Sequence, residues 1–137
     1  MENQKMSIGQ LSKATNTSKD TIRYYETIGL LQESPRSNAG YRIFDCESVR
    51  RLRLIKNAKS LGFKLSEIEE IIQIIQSPDG TAQQLKLLVE SKISSAKNNI
   101  KSLEKMQTAL EKLFKKCPGG TISTDICPIQ MYLMEER

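Results

Sequence analysis

The chain has 137 residues, with 21 Lys and Arg against 16 Asp and Glu, and contains neither histidine nor tryptophan. That length fits one compact domain, or a small domain joined to one long element. The lack of histidine removes imidazole both as a catalytic base and as a metal ligand. No run of about 18 apolar residues is present to span a bilayer, and the first residues lack an apolar signal core. The expectation is therefore a cytoplasmic protein with no membrane partner, whose three cysteines are not a structural disulfide framework. Charge is uneven along the chain: residues 1–64 carry 12 basic and 6 acidic side chains, residues 65–137 carry 9 and 10. A cationic front half joined to a balanced back half suggests a polyanion-binding module attached to something else, although a solvated basic surface would read the same way.

Ser7-Ile8-Gly9-Gln10 has the form of a capping box, with Leu11 and Ala14 following at helical spacing. The stretch Thr15 to Ser18 breaks that helix. Thr17 or Ser18 then caps a second one running through Ile22, Tyr25 and Ile28 to Gly29. Two short capped helices separated by four residues predict a helix-turn-helix. Turn formers crowd Ser34 to Gly40, and Tyr41-Arg42-Ile43-Phe44 alternates in polarity. Residues 35–44 are thus expected to form a two-stranded wing turning near Asn38 to Gly40.

Asp45 starts a third helix with Val49, Leu52, Ile55, Ala58 and Leu61 on one face, ended by Gly62. Ser66-Glu67-Ile68-Glu69 predicts the cap of a fourth, which runs to the break at Ser77-Pro78-Asp79-Gly80. Thr81 to Gln84 caps again, and no Pro or Gly interrupts the chain before Pro118. The resulting helix is about 50 Å long at 1.5 Å per residue. Val89, Ile93, Ala96, Ile100, Leu103, Leu110 and Phe114 follow alternating four- and three-residue steps, with Gln107 at the one polar heptad position. A narrow stripe of that period predicts a left-handed coiled coil with a second copy; folding back onto its own domain is the alternative. Cys117-Pro118-Gly119-Gly120 and Cys127-Pro128 then bracket a loop, and a terminal helix is expected over 129–136 with Pro128 at its first position.

Ile22-Arg23-Tyr24-Tyr25-Glu26, Ile28-Gly29-Leu30-Leu31, Gly40-Tyr41-Arg42 and Leu61-Gly62-Phe63, in that order and spacing, resemble the signature of the MerR family, the mercury-resistance type of transcriptional regulator. The long helix and terminal cysteine pair resemble its metal-sensing branch, particularly the copper(I) and zinc(II) regulators. The resemblance implies a mostly α fold. A winged helix-turn-helix DNA-binding domain over 1–76 leads through a hinge at 77–80 to an antiparallel coiled-coil dimerisation helix over 81–116. A metal-binding loop and short helix complete the chain over 117–137. It also implies a homodimer on a pseudo-palindromic stretch of double-stranded promoter DNA with a long spacer. Inducer binding leads such a dimer to bend and untwist the DNA so that RNA polymerase engages both promoter elements. That is indirect readout, in which two protein states differ in how they offset the cost of deforming DNA.

Arg23, on the helix expected in the major groove, has the shape to read a guanine edge or clamp a phosphate; an ion pair with Glu26 is the alternative. Lys19 and Tyr24 are expected on the DNA backbone. Arg36, Tyr41 and Arg42 lie on the wing, where family members touch phosphates, and Lys59 on the third helix is a further candidate. Tyr25 is expected in the core, and Tyr41 is equally suited to packing the wing. Phosphate contacts set affinity and its salt dependence.

Cys117 and Cys127 are expected to hold the effector. Two facing thiolates suit linear coordination of a soft monovalent ion, with Cu(I) first and Ag(I) or Au(I) as mimics. Zn(II) takes four ligands, and Asp125 would add only one oxygen. In divalent-metal members of the family a third cysteine comes from the partner chain; the matching position here is Ala82. Zn(II) and Hg(II) therefore rank below Cu(I), although the nine-residue loop is closer in length to the zinc type. A thiol redox switch competes, because Cys127 near a helix N-terminus would have a lowered pKa. Cys46 reads as structural. An architectural DNA-binding protein would leave the cysteine loop unexplained. An enzyme is opposed by the missing histidine, phosphate-cradling glycine loop and paired carboxylates.

Overall fold

Ser7 opens the first helix as its sequence predicts. Its hydroxyl accepts from the Gln10 amide at 3.2 Å while the Gln10 side chain accepts from the Ser7 amide at 2.8 Å, so two otherwise unpaired donors are satisfied reciprocally. The computed structural model describes residues 5–137, in which helices are joined by turns. Helix α1, Ile8–Thr15, ends at Asn16 with φ of 50°, a left-handed conformation that asparagine tolerates. Helix α2, Lys19–Thr27, is capped by Ser18, whose hydroxyl accepts from the Thr21 amide at 3.1 Å. Of the two expected caps for this helix, Ser18 is the one used.

Helix α3, Cys46–Ser60, is capped by the Asp45 carboxylate, which accepts from the Ser48 amide. Helix α4, Leu65–Gln76, begins earlier than the Ser66 box predicts. Glu67 reaches back to accept from the Lys64 amide at 2.8 Å, so the acidic residue at the third helical position sets the start without a Ser or Thr cap. Two expectations for the core also shift. Ala14 is exposed and Thr15 takes its place inside, its hydroxyl donating to the Leu11 carbonyl at 2.8 Å. Leu61 is 70% exposed because α3 has already ended, and Phe63 turns inward instead. Leu11, Ile22, Tyr25, Leu52, Ile55 and Ile68, drawn from α1 to α4, form one buried cluster with Phe44 of the wing and with Leu30 and Leu31.

The wing is a correction to the two-stranded expectation. Residues 35–44 form only isolated antiparallel bridges, Arg36 with Arg42 and Phe44 with Met6. Pro35 has no N–H to extend a ladder, so it contributes only its carbonyl, to the Ile43 amide at 2.9 Å. Gly40, at φ of 84°, makes the turn with a conformation costly for other residues.

Helix α5, Ala82–Lys116, runs unbroken over 35 residues. Thr81 and Gln84 cap it reciprocally, at 2.9 and 3.3 Å. Gly80 precedes the cap, and a side chain there would collide with the Ile74 carbonyl oxygen. No residue of α5 is buried, and its stripe from Val89 to Phe114 is between 49 and 80% exposed at the large apolar positions. The chain divides into two compact units, one ending at Val89 and the other spanning Glu90–Arg137. The second unit contains a one-turn 3-10 helix, Thr124–Ile126, and α6, Pro128–Leu133. Pro128 takes the first position as expected, but α6 stops short of Glu136; Glu135 and Glu136 would place negative charge at the negative end of the helix dipole.

Candidate nucleic-acid interface and thiol site

The first compact unit presents a set of exposed basic and aromatic side chains. Lys19 stands in the first turn of α2 and is exposed. Arg23 follows one turn later with its side chain 49% exposed, paired to Asp20 at 3.2 Å rather than to Glu26. An exposed i,i+3 pair is worth at most about 1 kcal/mol, so it does not hold the guanidinium against a phosphate or base edge. Tyr24 is half exposed beside it, while Tyr25 is buried as expected. On the wing, Arg36 donates to the Gly40 carbonyl at 3.0 Å and is otherwise exposed. Tyr41 is 73% exposed, which leaves it off the core. Lys59 lines a small cleft with Ser18, Thr21 and Lys56, beside the turn between α1 and α2.

Arg42 differs from the other basic candidates. Its side chain is 28% exposed and its Nε lies 3.7 Å from the Glu26 carboxylate. Glu26 was not singled out from the sequence as a partner of the wing; the contact joins residues 16 apart, and no local pattern signals it. Lys56 was missed for the same reason. Its ammonium donates to the Thr15 and Asn16 carbonyls, both at 3.2 Å, and so closes the C-terminal end of α1.

In the second unit, Gly119 and Gly120 take φ of 73° and 71°, conformations that reverse the chain after Cys117. The Thr124–Ile126 turn then delivers Cys127 to the N-cap of α6. The Cys117 and Cys127 sulfurs end 3.2 Å apart with no disulfide between them. Contact with the Cys117 thiol, first, and then the backbone N–H groups of Gln130 and Ile129 hold the Cys127 thiol below its ordinary pKa. These donors stabilise the thiolate, the form that binds metal and reacts with oxidants. Asp125 does not join the pair; among the described residues no cluster of three Cys, His, Asp or Glu of metal-binding size forms. Two facing sulfurs are what this loop offers a thiophilic ion. Cys46 occupies the first position of α3 and is partly buried.

Two family patterns match the chain. Residues 6–74 match the MerR HTH family regulatory protein pattern and residues 49–113 the MerR DNA-binding pattern. The chain is 33% identical to the HTH-type transcriptional regulator ZntR of Escherichia coli K12, over 89% of its own length and 87% of the relative's. It is also 33% identical to the mercuric resistance operon regulatory protein of Bacillus cereus, over 96% and 99%. Among solved structures, the transcription regulator PbrR691 of Ralstonia metallidurans CH34 in complex with lead(II) superposes with a TM-score of 0.83 at 27% identity, covering 93% of this chain and 98% of that one.

Proposed function

We propose that this chain, which belongs to the MerR family of helix-turn-helix regulatory proteins, is a metal-responsive regulator of transcription acting as a homodimer on promoter DNA. Members of the family are DNA-binding regulators and not enzymes. Residues 1–76 bind DNA, 77–80 form the hinge, 81–116 pair antiparallel with a second copy, and 117–137 hold the effector. Lys19, Arg23, Tyr24, Arg36, Tyr41 and Lys59 supply the contacts to DNA. In this reading Arg23 contributes to sequence choice and the wing residues to salt-dependent affinity. The exposed α5 stripe is the seam for the second copy. No helix among the described residues is long and apolar enough to cross a membrane, and a cytoplasmic location accords with promoter binding.

The observation that carries the effector reading is the 3.2 Å approach of Cys117 and Cys127. The B. cereus relative is a mercuric regulator and the solved relative holds lead(II), which supports a thiophilic ion here too. The choice of a monovalent one, Cu(I) with Ag(I) or Au(I) as mimics, rests on the two-sulfur donor set; Zn(II) and Hg(II) rank below it. Cys117 and Cys127 would hold such an ion through their thiolates. Cys117 follows directly on α5 and Cys127 caps α6, so holding both sulfurs fixes the loop between these helices. The fixed and free loops bias the dimer between states that differ in how they offset the several kcal/mol of promoter deformation, and RNA polymerase responds to the distorted promoter.

Titration of the reduced protein with Cu(I), Ag(I), Zn(II) and Hg(II) against a competing chelator tests this. One tightly held Cu(I) or Ag(I) per chain, lost in Cys117→Ser/Cys127→Ser, is expected. Undiminished binding in the double variant would remove the site from the loop. The same sulfur proximity favours a second reading, a redox switch in which the two thiols form a disulfide and give two electrons and two protons to an added oxidant. Transcription that responds to oxidant and to no metal would select it.

A further inference from the structure

The wing meets helix α2 at a buried carboxylate. Glu26 lies in the last turn of α2 with its side chain 5% exposed. Burial leaves that carboxylate dependent on the protein groups around it. Its Oε2 accepts from the Ser34 amide at 3.0 Å, while Oε1 has no hydrogen-bond donor among the described residues and faces Arg42 Nε at 3.7 Å. The Ser34 hydroxyl is likewise buried without a partner, so two unsatisfied polar atoms gather where the chain leaves α2 and enters the wing. Native interiors seldom leave such atoms unpaired.

Arg42 is also tied into the wing. It bridges to Arg36, flanked by the Ser37 amide on the Tyr41 carbonyl at 2.7 Å and the Ile43 amide on the Pro35 carbonyl at 2.9 Å. Fixing the guanidinium against Glu26 therefore fixes the short hairpin that carries exposed Arg36 and Tyr41.

We propose that Glu26 and Arg42 are positioning residues. The buried carboxylate on α2 pins the wing through Arg42 and sets the spacing between Arg23 on the helix and Arg36 and Tyr41 on the wing, while Arg42 itself neutralises no phosphate. The inference rests on the DNA-binding reading above; a wild-type protein that failed to bind any duplex would overturn that reading before this one came into question.

The two roles for Arg42 separate in the salt dependence of binding. Each phosphate neutralised adds about 0.9 to the slope of log K against log salt, so a phosphate-binding Arg42 contributes roughly 1.8 in a dimer. The probe is a duplex of about four helical turns (~40 bp) selected from a random pool by the wild-type protein, with circular dichroism confirming folding. In Glu26→Gln/Arg42→Gln, which removes the pair at constant net charge, affinity is expected to fall about tenfold while the slope stays within roughly 0.4 of wild type. Glu26→Gln alone is expected to weaken binding although it removes a negative charge, the opposite of what charge alone would do. A slope lowered by about 1.8 in the double variant, or tighter binding by Glu26→Gln, would overturn the proposal. Should the double variant not fold, Arg42→Lys decides: it keeps the charge and loses the Nε contact, so a drop in affinity at constant slope supports the pin and unchanged affinity refutes it.

Discussion

Replacing Leu103 with alanine tests whether the α5 stripe is a dimer seam, and the structure sets the size of the effect. Leu103 is 62% exposed in the isolated chain, midway along the apolar positions from Val89 to Phe114. An antiparallel pairing that overlaps the stripes in full therefore crosses near it. Complete burial of a leucine contributes roughly 1.5–3 kcal/mol, so covering the part still exposed contributes about 1–2 kcal/mol per chain. A two-fold dimer uses each residue twice, and Leu103→Ala should weaken association by about 2–4 kcal/mol, roughly thirtyfold to nearly a thousandfold. Lys105→Ala is the control, since two residues further on lies the opposite side of the helix. Sedimentation equilibrium across a concentration series reads both constants. A dimer equally stable with Leu103→Ala and Lys105→Ala would refute the seam, as would a wild-type chain that stays monomeric throughout.

Other predictions concern the thiols, the core and the wing. Because contact with Cys117 is the first cause of the lowered Cys127 pKa, Cys117→Ala should raise that pKa and slow iodoacetamide labelling of Cys127 at neutral pH, followed by peptide mass spectrometry; unchanged labelling would contradict the assigned cause. The sign for stability follows: a thiol whose folded pKa is depressed stabilises the fold at pH above its unfolded value and loses that contribution as pH falls through the folded one. Ile22 is fully buried, so Ile22→Ala should cost about 2–5 kcal/mol and lower the thermal midpoint of the DNA-binding unit by many degrees; a shift of only a degree or two would show that the site is not packed as described. Arg36→Gln should lower the salt slope of DNA binding by about 1.8 per dimer, in contrast to the unchanged slope expected when the Arg42 pair is removed. A constant slope there would take Arg36 off the phosphates.

Local signals carried most of the fold. The Ser7–Gln10 box, the Ser18 and Asp45 caps and the glycine turn of the wing involve residues within four of each other, and each forms as its sequence predicts. The α5 stripe was equally legible because its period extends over 35 helical residues. Helix ends were less so: α4 starts at Leu65 through Glu67 alone, and α3 stops before Leu61. In both places competing residues of similar propensity lie one or two positions apart. Contacts remote in sequence were not legible at all. Lys56 on the end of α1 spans about forty residues, and the Glu26 contact to Arg42 depends on how the wing folds back on α2. At the thiols, sequence supplied the two donors and the loop between them, while the 3.2 Å approach and the α6 amides at Cys127 needed the structure.

The central claim joins the thiol pair to promoter output. The most direct test is transcription in vitro by RNA polymerase from a promoter bound by the reduced protein, with and without one equivalent of Ag(I) or Cu(I), for wild type and Cys117→Ser/Cys127→Ser. The account predicts that metal raises transcription with wild type and leaves the double variant at its metal-free level, while both bind the promoter with similar affinity. Metal activation that persists in the double variant would contradict it.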